Sequence, residues 1–193
     1  MIDIAAVALL GLALTASACA STSYWDTGAS ASGVDGTDAT RSINAYHGAV
    51  KRKVIRSFEG LSAGDPSYAL SLMRDDVVYT FAGAHALGGT REDKAAVTKW
   101  FDRLVRLLPG KFEILAVEVS GGPSDTRVYV RFRDTVSPEY GQTYVNQGFQ
   151  TLRLSWGKVV RVETFVDTAQ VQAALDTLAA AGVVEAHAPA IER

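Results

Sequence analysis

Residues 159–175, VVRVETFVDTAQVQAAL, change period in the middle. Val160, Val162, Thr164 and Val166 share one face of a strand, and Glu163, Phe165 and Asp167 share the other. From Thr168 onward the chain is alanine-rich and reads as a helix, with Asp167 or Thr168 placed to cap it. By alternation alone the valine face is core and the acids look outward. A fold that covers both faces of its sheet leaves that choice open, so the roles of the two carboxylates depend on which face looks inward.

Four further strands are expected upstream of this one: Asp76 to Phe81, Lys111 to Ser120, Arg127 to Asp134 and Gln142 to Leu154. Gly121–Asp125 and Ser137–Gly141 form turns between them. Ahead of the strands, Ile43, Tyr46, Val50, Val54, Phe58 and Leu61 recur at helical spacing from Arg41, and Gly64 closes that helix. Asp65-Pro66 opens a second, short helix. A third opens at Thr90, with Asp93 three residues on as in a capping box, and Pro109-Gly110 ends it. Helices followed by consecutive strands on short turns make an α+β fold, a largely antiparallel sheet with helices on one face.

The chain has 193 residues, 21% of them charged, with net charge −2. That suits one domain with an appendage. It argues against a nucleic-acid partner, which needs a concentrated basic face; Lys51, Arg52, Lys53 and Arg56 are interleaved with apolar positions, as on the solvated side of a helix. Cys19 is the single cysteine, so neither an internal disulfide nor a thiolate zinc cluster can form. His47, His85 and His187 lack ligand spacing, so no metal site is expected. No G-x-S-x-G elbow, G-x-G-x-x-G or phosphate-binding loop occurs, and no cofactor is indicated.

Residues 1–19 carry an apolar run from Ile4 to Leu14, too short to span a bilayer, followed by small residues up to Cys19. The segment resembles a bacterial lipoprotein signal with Cys19 as the lipidated residue, which implies an envelope location and a membrane contact through that anchor only. No Lys or Arg precedes the run, so a cytoplasmic protein with a misassigned start is the alternative. Residues 20–40 have the Ser/Thr/Gly/Asp composition of a flexible linker. The domain is expected at 41–186, with a tail at 187–193.

Three stretches carry a resemblance to a known family: FEGLSAGDPSYALSLMRDDVVYTFAG, HALGGTREDKAAVTKWFDRL and GKVVRVETFVDTAQVQAAL. Together they resemble the SnoaL-like branch of the nuclear transport factor 2-like superfamily, which also holds ketosteroid isomerases and polyketide cyclases. The resemblance implies a cone-shaped roll: a strongly curved mixed or antiparallel sheet around about three helices, plus a C-terminal helix, an apolar cavity, and a homodimer through the outer sheet face. It also implies positions for isomerase chemistry, and here they are occupied by Phe58, Gln150 and Phe81. Phenylalanine neither stabilises an enolate by hydrogen bonding nor accepts a proton, so steroid isomerisation is excluded. The cyclase members' general base falls nearest Glu163 or Asp167.

Each candidate has a plain alternative. Asp167 caps a helix, and a capping carboxylate is a weak base. Glu163 either faces a cavity, where desolvation raises its proton affinity, or pairs with Arg131, Arg153 or Arg161. His85, in FAGAHALGG, lies between glycines, where it either poises a proton at the cavity mouth or is an ordinary loop residue. Phe58, Tyr79, Phe81, Trp100, Tyr144, Asn146, Gln150 and Phe165 are the expected pocket lining, an apolar surface with few polar anchors. The expectation is a domain that binds a small, largely apolar molecule. An isomerase, cyclase or hydratase using a pocket acid or histidine, and a non-catalytic dimerising module, are its rivals.

Overall fold

In a computed structural model that describes residues 36–192, with side chains from residue 39, the apolar stripe of the first helix lies against a curved sheet. The signal-like segment with Cys19, and the linker up to residue 35, lie outside the described residues. Helix α1 spans Gly36–Ser62 and buries Val50, Val54 and Phe58. It starts five residues ahead of Arg41, so the end of the expected linker is helical. Once a packed helix exists, each added residue gains a backbone bond without a new nucleus. Gly64, in the left-handed region, ends it, and the Asp65 N–H donates back to the Gly60 carbonyl at 2.9 Å. Helix α2 (Ser67–Leu72) follows, its first N–H held by the Asp65 carboxylate at 2.9 Å.

The strands are β1 (Met73–Phe81), β2 (Gly89–Arg91), β3 (Gly110–Gly122), β4 (Asp125–Val136), β5 (Tyr144–Ser155) and β6 (Lys158–Val166). They form one sheet in the order β2-β1-β6-β5-β4-β3. The β1–β6 pair is parallel and the rest are antiparallel, so the sheet is mixed. At three residues, β2 is too short to show a period. It takes Thr90 away from the helix expected to begin there: Thr90 pairs with Thr80, their hydroxyls 3.0 Å apart. Helix α3 (Lys94–Leu107) instead begins after Asp93, whose carboxylate accepts the Ala96 N–H at 2.7 Å. The acid assigned to the third helical position is itself the cap.

Register shifts interrupt the β1–β6, β3–β4 and β5–β6 ladders, and such bulges bend a sheet and increase its twist. The β5–β6 connection is a two-residue turn with both Trp156 (φ 51°) and Gly157 (φ 77°) in the left-handed region, as the twist of a tight hairpin demands. Helix α4 (Thr168–Ala180) and a 3-10 turn (Val184–His187) complete the chain. The tail is docked: Glu185 accepts from Arg106 at 2.7 Å, Arg103 donates to the Pro189 carbonyl at 2.8 Å, and Ile191 packs on the core.

Candidate functional site

On β4 the inward positions are Thr126, Val128, Val130, Phe132, Asp134 and Val136, all buried. Asp134 falls in the apolar phase of this alternation, and the strand cannot turn it out without exposing Phe132 and Val136. On β5 and β6 the same face carries Tyr144, Asn146, Gln150 and Thr164. Opposite this polar strip stand the rings of Phe58 from α1, Tyr79 and Phe81 from β1, and Trp100 and Phe101 from α3. Between strip and rings lies an interior hollow of about 60 Å³. A neighbouring one of about 50 Å³ shares Phe58, Tyr79, Phe101 and Gln150 as walls.

The rings are held as a unit. Trp100 is fully buried, lies 4.7 Å from Tyr79 and 5.4 Å from Phe81 between centroids, and donates its indole N–H to the Leu87 carbonyl at 2.7 Å. The Arg91 guanidinium, 5.2 Å from the indole, donates to the carbonyls of Leu87, Gly88 and Gly89. Burial pushes its pKa down to about 10. These bonds tie the β1–β2 loop to the wall.

Most groups of the polar strip satisfy one another. Gln150 Nε2 donates to Thr164 Oγ1 at 2.8 Å, and the Tyr79 hydroxyl lies 3.2 Å from the same oxygen. Burial pushes the Tyr79 phenol up to about 12. Asn146 grips the backbone of Asp167 from both sides, accepting its N–H at 3.0 Å and donating to its carbonyl at 3.4 Å. Two atoms differ: Asp134 Oδ1 and the Tyr144 hydroxyl are buried without a hydrogen-bond partner among the described residues. Desolvation pushes the Asp134 carboxyl up to about 6. Burial, reinforced by the Asp134 charge, raises the Tyr144 phenol well above its ordinary value.

The structure brings together seven of the eight residues expected to line a pocket: Phe58, Tyr79, Phe81, Trp100, Tyr144, Asn146 and Gln150. Phe165 is the exception and corrects the expected lining. It stands on the outer face, 40% exposed, with its ring stacked on Phe149 at 4.7 Å and 17°. Its strand phase is that of Glu163; Val162, Thr164 and Val166 face inward, and beyond the bulge it is Val159 rather than Val160 that is buried.

The acids singled out from the sequence also lie away from the hollow. Glu163 is on the outer face, 3.2 Å from the Arg161 guanidinium and accepting the Thr151 hydroxyl at 3.2 Å. Asp167 caps α4, accepting the N–H groups of Ala169 and Gln170 at 3.1 and 3.3 Å. The Gln170 side-chain amide and these N–H groups hold its carboxyl below the usual carboxylate range, against the demands on a base at neutral pH. His85 lines a separate, open cleft of about 400 Å³ with Gly83, Gln172 and His187. Its Nδ1 accepts the Leu87 N–H at 3.3 Å, and burial, aided by the Arg91 charge, lowers its pKa and favours the neutral ring.

Asp134 is not among the residues that the sequence singles out, although a signal is there: in TRVYVRFRDTV one acid occupies a position whose neighbours at two-residue steps are phenylalanine and valine. Such an acid is either an outward residue in a misjudged register or a buried one with a task.

Known proteins share this architecture. The model of the SnoaL-like domain family matches residues 54–162, more than half of the chain. No curated protein matches. Among solved structures, an NTF2-like protein from Burkholderia pseudomallei superposes with a TM-score of 0.56 at 20% identity, covering 62% of this chain and 92% of that one. TerC, co-crystallised with polyporic acid, gives 0.56 at 22% identity, over 65% of this chain and 96% of TerC. PrhC from Penicillium brasilianum gives 0.58 at 16% identity, over 70% and 93%. Identities this low speak to the fold alone, and the fold agrees with the family model: the chain belongs to the SnoaL-like family and has the NTF2-like fold.

Proposed function

We propose that the protein binds a small, largely apolar ligand in the interior hollow between α1, α3 and the inner face of β4–β6. One observation carries this reading. One oxygen of a buried carboxylate and a buried phenol hydroxyl, both without a hydrogen-bond partner among the described residues, share a space otherwise walled by aromatic rings. A polar atom buried without a partner costs about 1–3 kcal/mol, a cost that packing alone gives no reason to retain. The co-crystallised small molecule in the TerC structure is in keeping with a fold that accepts such ligands. The test is titration with toluene, followed by ligand-detected NMR and thermal shift, on the wild type and on Val166→Phe, which fills the hollow from β6. Saturable binding that Val166→Phe removes from a folded protein supports the reading; no binding to either overturns it.

Catalysis is the second reading, favoured by the Asp134 carboxyl at about 6, near the value wanted of a general acid or base at neutral pH. It would make the protein a cofactor-free isomerase, cyclase or hydratase. Asp134→Asn would then abolish turnover in a protein that stays folded and still binds toluene.

Two further elements belong to the same proposal. The outer face of β4–β6 exposes Tyr129, Val145, Phe149 and Phe165, and a homodimer would cover them. Phe149→Arg is expected to convert the dimer to a folded monomer in sedimentation. The envelope location rests on Cys19, and Cys19→Ala is expected to move the protein from the membrane to the soluble fraction.

A further inference from the structure

We infer that the polar end of the hollow recognises a hydroxyl group on its ligand, with Asp134 accepting a hydrogen bond from that hydroxyl and Tyr144 donating one to it. The inference rests on the hollow being a ligand site, and it names the class of ligand: an apolar ring or chain bearing an alcohol or phenol.

The two groups are neighbours by register. Asp134 pairs with Asn146 and Val136 with Tyr144, so Asp134 and Tyr144 are diagonal partners across the β4–β5 ladder, with both side chains on the inner face. Diagonal neighbours are within reach of a long aromatic side chain such as Tyr144, and the Asp134 charge acts on the Tyr144 phenol. The remaining polar groups of the strip are committed elsewhere: Asn146 to the Asp167 backbone, and Gln150 and Tyr79 to Thr164. Among the described residues, the open valences in the hollow are therefore Asp134 Oδ1 and the Tyr144 hydroxyl.

What these two want decides the ligand. An ionised carboxylate only accepts, and the neutral phenol beside it is free to donate. A ligand carbonyl satisfies Tyr144 and faces the carboxylate with a second acceptor. A protonated amine satisfies Asp134 alone, and a ligand carboxylate is repelled by it. A hydroxyl donates one hydrogen bond and accepts another, so it closes both valences with a single atom. The aromatic walls then ask that the rest of the ligand be apolar.

The test uses three probes of one shape, toluene, p-cresol and p-tolualdehyde, titrated into the full chain. The proteins are the wild type, Asp134→Val and Tyr144→Phe, each checked for cooperative unfolding. In the wild type at pH 7.5, p-cresol is expected to bind at least about tenfold more tightly than toluene, since a hydrogen bond to a charged group is worth that much. Either substitution should erase most of the preference and leave toluene affinity within about twofold, so one folded variant suffices. The p-cresol preference should weaken as pH falls through the Asp134 titration. Toluene binding with no preference for p-cresol, or a preference for p-tolualdehyde, overturns the hydroxyl inference and leaves the ligand reading standing. Failure of all three probes to bind overturns both.

Discussion

The two faces of β4–β6 depart from expectation in opposite directions. The inner face, packed under α1 and α3, is buried yet carries Asp134, Asn146, Gln150 and Thr164 among its valines and phenylalanines. The outer face is exposed yet carries Tyr129, Val145, Phe149 and Phe165 among its arginines. A sheet with one covered and one wetted face should be apolar within and polar without. The polar groups inside are mostly bonded to one another, leaving two atoms open. Outside, the rings of Phe149 and Phe165 stack on each other. The inner face thus resembles a site built into a core, and the outer face resembles a surface built for contact.

The largest test of this contrast replaces one phenylalanine on each face. Phe132→Ala removes a ring that packs on Phe58 and Phe112 and is 3% exposed, and should cost about 3–5 kcal/mol in urea unfolding. Phe149→Ala, on the outer face at 48% exposure, should cost under about 1 kcal/mol in the monomer. Equal costs would erase the distinction between the faces.

Asp134→Asn probes the inner face by charge at nearly constant shape. The folded carboxyl titrates at about 6 against 3.8 for an unperturbed one, so the folded state binds the proton more tightly. Its contribution to stability is present below pH 3.8 and declines as pH rises to about 6. The Asn variant should therefore gain about 1–2 kcal/mol on the wild type at pH 7, a gap that closes by about pH 4. A gap independent of pH would mean that Asp134 is solvated.

Asp167→Ala should lower the melting temperature through loss of the α4 cap, with no change in ligand affinity. Its folded carboxyl is depressed, so its stabilisation is present above the ordinary carboxylate range and lost as pH falls through the folded value. Smallest is Glu163→Gln: an exposed pair with Arg161 is worth less than about 0.5 kcal/mol, and neither binding nor turnover should move. Lost turnover in Glu163→Gln would return the site to the outer face.

Long periodic elements are legible from residue order alone. The stripe from Tyr46 to Leu61 repeats over about four turns and marks α1, and β6 ends at Val166, where the alternation gives way to the helix. Short or shared signals mislead. Three residues of β2 carry no period, and Asp93 fits equally well as the cap or as the third residue of a capping box begun at Thr90. At the site, the aromatic lining is legible because large apolar side chains have few other places to go. Phe165 and Asp134 escape that logic, because each breaks the polarity of its own face.

The sequence by itself determined the α+β class, the helix bearing Phe58 and a helix start at Asp167 or Thr168, since each of these is a property of residue type at short spacing. Only the tertiary structure decided which phase of the alternation looks inward. It also decided that Glu163 finds Arg161 while Asp134 Oδ1 finds no partner among the described residues. The physical reason is that a carboxylate's role is set by its desolvation and its neighbours across the sheet. Strand register and the covering helices supply both from residues remote in the chain.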